Sequence, residues 1–388
     1  MSVNELITSS PIPPKAVGGS VQILLTRAYG EPSENPTNGS WWISSDPADF
    51  PIRSAQTRLD LNNPPTSVGG IQPQLSLRLS RQDLKPSTNF RWWDLDLSYK
   101  GLTNHVQHLV TLTKPEITLM VMISAGVACF IASNPFNFAV LLHAILGTGL
   151  VGASAATLNQ YLERKVDATM RRTSRRPLPS GHVTAREALV FGVSLFVVGT
   201  IYLSVFLNPT TALIGLLTSA SYLFLYTPLK RKSRFCTFIG AFPGAAPVLM
   251  GWTAARNDLA PEAWVLFAIL FLWQFPHFYA IGWLYREDYA RAGMLMLPAI
   301  DEDDGRTTFR RILISTQLLI VATFTLPFIA STSSLYFGLA LILGLSFYYC
   351  AYKASLSRSR IAAKRLLHAS VIYLPLLYLA IVLDKLFF

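Results

Sequence analysis

Beyond Leu112 the sequence becomes a succession of long apolar runs, and this feature restricts the chain to few folds. Each run is about the 17–25 residues that a helix needs to cross a hydrocarbon core. Within a bilayer the backbone must satisfy its own N–H and C=O groups, so such runs are read as helical spans. Spans are predicted near 116–134, 137–157, 187–207, 210–228, 236–254, 262–284, 312–330, 334–352 and 367–386. Asn134-Pro135, Asn208-Pro209 and the Ser331–Ser334 stretch punctuate them. The expected fold class is an all-α polytopic membrane protein, with about nine transmembrane helices bundled around a central cavity open to the cytoplasmic side.

Only 14% of residues are charged and 51% are hydrophobic, whereas soluble domains carry about 25% charged residues. The net charge of +11 is not spread as nucleic-acid binding would require, because the basic residues alternate between loops. Arg164, Lys165, Arg171, Arg172, Arg175, Arg176 and Arg186 follow the second span, and Lys230, Arg231, Lys232 and Arg234 the fourth. Further basic groups follow the sixth and eighth spans, while the opposite loops hold almost none, Arg256 excepted. The positive-inside rule then places the N-terminus and the basic loops in the cytoplasm and the C-terminus on the other side. Cys129, Cys236 and Cys350 lie far apart, offer no C-x-x-C pair, and read as free thiols.

Residues 1–104 differ in character, with Pro11-Ile12-Pro13-Pro14, Asn63-Pro64-Pro65 and tryptophan pairs at Trp41-Trp42 and Trp92-Trp93. No apolar segment of a secretory signal follows Met1, and Glu5, Glu31 and Glu34 argue against a mitochondrial transit peptide. Residues 74–80 alternate like a short strand. The expectation is a polar, disordered cytoplasmic extension over 1–104 and a transmembrane domain over 105–388.

Chemistry concentrates where the second span ends. Asn159, Glu163 and Asp167 stand four residues apart, so a helix would project them from one face. Such oxygen ligands suit Mg²⁺ together with the oxygens of a substrate phosphate. Arg171, Arg172, Arg175 and Arg176 follow at once, and guanidinium forks match diphosphate oxygens. The same acids also fit solvated salt bridges to Arg164, Lys165 and Arg171, with the carboxylates lying beyond the helix end. Asp288, in Arg286-Glu287-Asp288-Tyr289, supplies a second acidic edge that would face the first across a bundle. Lys230 and Arg231 are candidates to hold diphosphate oxygens, with Tyr226 donating a hydroxyl hydrogen bond. The run Asp301-Glu302-Asp303-Asp304 resembles a metal box, but four consecutive acids cannot converge, so a solvated loop is expected.

Taken together, these residues resemble the intramembrane aromatic prenyltransferase superfamily and, within it, the protohaem IX farnesyltransferases (haem O synthases). The resemblance covers roughly residues 107–388. It rests on Thr113-Lys114-Pro115, the run Asn159 to Thr173, Arg176-Pro177-Leu178, Tyr226 with Lys230-Arg231, and Gly240 to Pro247. Trp273-Gln274-Phe275-Pro276-His277 and Asp288-Tyr289 with Met296-Leu297-Pro298 point to the haem-modifying branch. The resemblance implies Mg²⁺-dependent transfer of a farnesyl group from farnesyl diphosphate to the 2-vinyl group of haem B, with water adding to give haem O. It implies Asn159, Glu163, Asp167 and Asp288 as catalytic metal ligands. Arg171, Arg176, Tyr226, Lys230, Arg231, His277 and Tyr289 would contact substrates, His277 as a candidate contact to the porphyrin or its iron. A bacterial inner-membrane location and partnership with haem A synthase or terminal-oxidase assembly are also implied. Glu163 stands where many relatives carry Asp, and the first hundred residues have no counterpart in the common bacterial form. A prenyltransferase acting on a quinone precursor or chlorophyllide, a transporter and a non-catalytic haem-binding factor are the alternatives.

Overall fold

The computed structural model of the chain describes residues 103–329 and 333–387. The expected extension over 1–104, with its strand-like run at 74–80, lies outside the described residues except for its last two positions. A short helix over 103–112, α1, leads into α2 (Pro115–Ala132) and α3 (Phe138–Asp167). Then come α4 (Ala185–Phe206) and α5 (Pro209–Ala220), a π-helical turn at Ser221–Tyr226, and the short α6 (Thr227–Leu229). The remainder comprises α7 (Cys236–Arg256), α8 (Pro261–Leu284), α9 (Arg286–Arg291), α10 (Arg306–Ile329), α11 (Ser334–Ser357) and α12 (Arg360–Phe387). Among the described residues, nine helical segments are long and apolar enough to cross a membrane, with α5 and its continuation through Leu229 counted as one. The described residues are all-helical, and the protein is a multi-pass membrane protein.

Helix ends follow from local chemistry. Asn137 caps α3 by accepting from the N–H groups of Ala139 and Val140, and Thr184 forms a reciprocal capping box with Glu187 at the start of α4. Asp301 accepts from the Thr308 N–H and hydroxyl, and Asp303 from those of Thr307. Two acids of the expected solvated loop therefore cap the first turn of α10, where four N–H groups would otherwise lack partners.

In lipid, apolar burial no longer drives helices together, so close packing and hydrogen bonds must do it. Helix α2 packs on α7 where Gly251 meets Ala125: a Cβ at Gly251 would lie 1.9 Å from the Ala125 carbonyl oxygen. Gln274 ties α8 to α7 by donating to the Ala241 carbonyl at 2.9 Å, over the space left by Gly244. On α12, Tyr378 donates to Ser124 on α2 at 3.1 Å. Lys385 donates to the Phe130, Ile131 and Ser133 carbonyls at the far end of α2. The outward residues of α4 and α11, among them Val190, Val197, Ile201, Ile342 and Leu345, are exposed and apolar, as a lipid-facing surface requires.

The predicted spans match the helices except at the basic ends. Helix α3 runs ten residues beyond its predicted end, through Asp167, and α10 to α12 also extend through their basic residues. Glu163 and Asp167 therefore stand inside the helix and are buried, which corrects the placement of these carboxylates beyond the helix end.

Candidate active site

The last turns of α3 present Asn159, Glu163 and Asp167 on one face, only 1%, 8% and 1% exposed. Buried carboxylates are costly unless paired, and removing one partner of such a pair costs about 3–5 kcal/mol. Each member of the row has a basic partner from elsewhere in the chain. Lys114 Nζ donates to Asn159 Oδ1 at 3.2 Å. Lys230 Nζ donates to both oxygens of Glu163, at 2.9 and 3.1 Å. Arg176 Nη1 donates to Asp167 Oδ2 at 2.8 Å. Three basic side chains thus face two carboxylates and an amide at one end of the bundle.

Local backbone features aim these side chains. Lys114, immediately before Pro115, adopts a left-handed conformation (φ 50°, ψ 68°) that is strained for a residue other than glycine. Its carbonyl accepts from Ile117 and Thr118 and so opens α2. Burial, then the neighbouring Arg176 and Lys230 charges, push the Lys114 amine down to about 7. The π-helical turn aligns Tyr222, Tyr226 and Thr227 along one edge; such turns recur at functional sites. The Thr227 hydroxyl donates to the Tyr222 carbonyl at 2.9 Å and accepts from Asn159 Nδ2 at 3.1 Å. The Tyr226 ring lies 4.6 Å from Lys230 Nζ and fills the space beside Gly240, where a Cβ would approach it to 2.4 Å. Burial opposes the Lys230 charge, but the facing phenols and Glu163 more than offset this and raise its pKa.

The second acidic edge packs against this cluster. Met170, Cys236, Tyr289, Met294 and Met296 form one buried group bordered by Val166, Tyr226 and Tyr285. Leu295 N–H donates to the Lys230 carbonyl at 2.8 Å, and Arg172 reaches the Tyr289 hydroxyl at 3.4 Å. Asp288 itself accepts from Arg291 at 2.9 Å. Its carboxylate does not join the α3 row: among the described residues, no three His, Cys, Asp or Glu side chains converge as metal ligands. Arg171 and Arg231 are exposed and meet none of these acids in the described contacts; of the basic residues expected there, Arg176 and Lys230 join the row, and Lys114, which was not expected, joins them. His277 sits apart on α8, bonded to Ser370 of α12. Lys114 belongs to the Thr113-Lys114-Pro115 motif and Thr227 directly follows Tyr226, but spacing alone assigned neither a role. A lysine–proline pair at the mouth of an apolar run was the available signal for Lys114.

The donor set of the row is an amide and two carboxylates, without sulfur or imidazole, and this hard oxygen chemistry fits Mg²⁺. The excess cationic side chains fit a polyanion such as diphosphate.

Residues 119–374 match the UbiA prenyltransferase family model. A curated protoheme IX farnesyltransferase from Solibacter usitatus (strain Ellin6076) is 47% identical over 286 residues, spanning 71% of this chain and 98% of that protein. The protoheme IX farnesyltransferase of Koribacter versatilis (strain Ellin345) is 41% identical, over 74% of this chain and 95% of its own length. Among solved structures, a digeranylgeranylglyceryl phosphate synthase matches with TM-score 0.61 and 19% identity, covering 72% of this chain and 98% of that one. A UbiA homologue from Archaeoglobus fulgidus bound to GPP and Mg²⁺ matches with TM-score 0.51 and 12% identity, covering 71% of this chain and 99% of that one. These structures share the fold. The chain belongs to the UbiA prenyltransferase family.

Proposed function

We propose that the protein transfers the farnesyl group of farnesyl diphosphate to the 2-vinyl group of haem B, giving haem O and diphosphate. The observation that carries this reading is the 47% identity to the Solibacter usitatus protoheme IX farnesyltransferase across 98% of its length. The paired acids and cations at one mouth of the bundle supply chemistry suited to it. Residues 105–388 form the prenyltransferase domain in this reading.

Asn159, Glu163 and Asp167 would hold Mg²⁺, with Asp288 completing the set once it leaves Arg291. The bound ion supplies Lewis-acid stabilisation of the departing diphosphate. Lys114, Lys230 and Arg176 orient the diphosphate and balance the charge that grows on it as the C1–O bond breaks. Apolar and aromatic walls exclude water from the allylic cation until the terminal vinyl carbon of haem has bonded to C1. The cation left at the inner vinyl carbon is captured by water, which loses a proton and leaves the hydroxyl group of haem O.

Lys114 and Asn159 bring the start of α2 and the end of α3 to one side, while Lys385 meets the opposite end of α2. With the basic loops on the side of the site, the positive-inside rule orients the site and its cavity toward the cytoplasm, the N-terminus with them and the C-terminus away. A bacterial inner-membrane setting and delivery of product to haem A synthase or oxidase assembly complete the proposal.

The test reconstitutes the full chain in lipid with farnesyl diphosphate and Mg²⁺ and offers haem B, a quinone precursor and chlorophyllide in turn. Mass spectrometry should find haem B gaining farnesyl plus water, with the other acceptors unchanged. Prenylation of another acceptor while haem B stays intact would overturn the proposal.

A further inference from the structure

An imidazole inside a bilayer is costly to keep without a purpose, and His277 lies in the membrane-spanning α8. Its surroundings fix more than its position. His277 Nδ1 lies 2.8 Å from Ser370 Oγ on α12, and Ser370 Oγ lies 2.6 Å from the Leu367 carbonyl. A serine hydroxyl has a single hydrogen, and the Leu367 carbonyl can only accept. Ser370 therefore donates to Leu367 and must accept from histidine. The proton resides on Nδ1, and Nε2 keeps an unshared electron pair with no hydrogen-bond partner among the described residues. This is the arrangement of a metal-binding histidine whose second nitrogen donates to an orienting acceptor.

The ring is also held in orientation. Trp273 stacks on it with centroids 4.6 Å apart and planes 22° from parallel, and Trp273 Nε1 donates to the Ser370 carbonyl at 2.8 Å. Phe278 meets it edge-on at 5.5 Å. The Trp273 bond already joins α8 to α12, so docking those helices does not require an imidazole.

Depth agrees with substrate contact. His277 is seven residues from the Leu284 end of α8, roughly 10 Å at the helical rise. Asn159 is eight residues from the Asp167 end of α3, roughly 12 Å. The imidazole thus lies in the half of α8 nearer its Leu284 end, as Asn159 lies in the half of α3 nearer Asp167.

We propose that His277 Nε2 is the axial ligand to the iron of the haem substrate, with Ser370 as the positioning residue that sets its tautomer. This inference rests on haem being the acceptor. Ligation through the iron anchors the macrocycle at its centre and leaves the vinyl-bearing edge available to the prenyl cation. No bond of the porphyrin changes at this contact, and the iron keeps its oxidation state.

The experiment titrates haem B, as haemin, into the purified full chain in lipid nanodiscs without prenyl diphosphate. Optical and electron paramagnetic resonance spectra are recorded for wild type, His277→Ala, His277→Met and Ser370→Ala. Wild type should show saturable binding with an imidazole-ligand spectrum. H277A should lose that spectrum and regain it with added imidazole, while H277M should show a thioether-ligand spectrum. S370A should keep the imidazole spectrum but bind about tenfold or more weakly, the cost of losing an orienting partner. Prenyl-diphosphate binding by each variant reports that the site is folded. If H277A and H277M retain the wild-type spectrum and affinity, the iron assignment is wrong even where wild type still farnesylates haem. If wild type farnesylates a different acceptor and neither binds nor alters haem, the functional reading fails and this inference with it.

Discussion

Lys230 crosses the mouth of the bundle to donate to both carboxylate oxygens of Glu163, at 2.9 and 3.1 Å, although 67 residues separate them in sequence. Both side chains are nearly buried, so each charge depends on the other for compensation. The contact joins the end of α3 to the turn after α6, and a diphosphate arriving there would compete for the same ammonium group.

This pairing makes Lys230 both a stabilising and a substrate-binding group. Lys230→Met should lower thermal stability in detergent and raise KM for farnesyl diphosphate at least tenfold. Adding Glu163→Gln removes the unpaired carboxylate and should recover much of the stability but none of the substrate affinity. Wild-type KM in K230M would restrict this lysine to topology.

Asp288 is paired with Arg291 in the structure, yet the proposal requires it to turn toward the diphosphate. Asp288→Ala should therefore reduce kcat by about 100-fold or more, the scale of losing one group that stabilises transition-state charge. Arg291→Ala should change it only a few-fold. Equal, small losses in both variants would make the pair a surface feature of α9.

Gly240 leaves the space that the Tyr226 ring fills. Gly240→Ala should displace the ring from Lys230 and raise KM for the prenyl diphosphate while the protein remains folded. Gly251→Ala should act differently. Its Cβ would meet the backbone carbonyl of Ala125 on α2, and overpacking of this kind typically costs about 1–3 kcal/mol. Thermal unfolding should reveal that loss directly, whereas a G251A protein as stable as wild type would show that the two helices can separate without penalty.

Asp301 and Asp303 cap α10 rather than gather a metal. Asp301→Ala should destabilise the protein by about 0.5–2 kcal/mol, as loss of a cap does, and leave the Mg²⁺ dependence of activity unchanged. A shift in the Mg²⁺ concentration for half-maximal rate would return these acids to the metal chemistry.

Much of this architecture is legible in the sequence because hydropathy reports spans and helical spacing reports a face. The row Asn159, Glu163 and Asp167 follows from residues four apart. Its burial does not, because a run containing Glu163, Arg164 and Lys165 looks like the start of a loop. The helix continues there because Lys230, Arg176 and Lys114 neutralise or cap the row, and two of those partners lie 67 and 45 residues away in the chain. No local pattern announces such pairings. The π-helical turn that points Tyr226 and Thr227 toward the row is equally hidden, since Ser221–Tyr226 has the composition of an ordinary apolar helix. The exposure of Arg171 and Arg231 beside buried Arg176-bound and Lys230-bound acids also depends on how the loops fold back.

The most direct measurement compares wild type and Asp167→Asn, each in lipid with haem B, farnesyl diphosphate and Mg²⁺, following both diphosphate release and the mass of the extracted haem. Wild type should release one diphosphate for each haem that gains farnesyl and water, and chelation of the metal should stop both. D167N should bind haem yet form neither product. Farnesylated haem produced by D167N at the wild-type rate, or by wild type with the metal removed, would contradict the account.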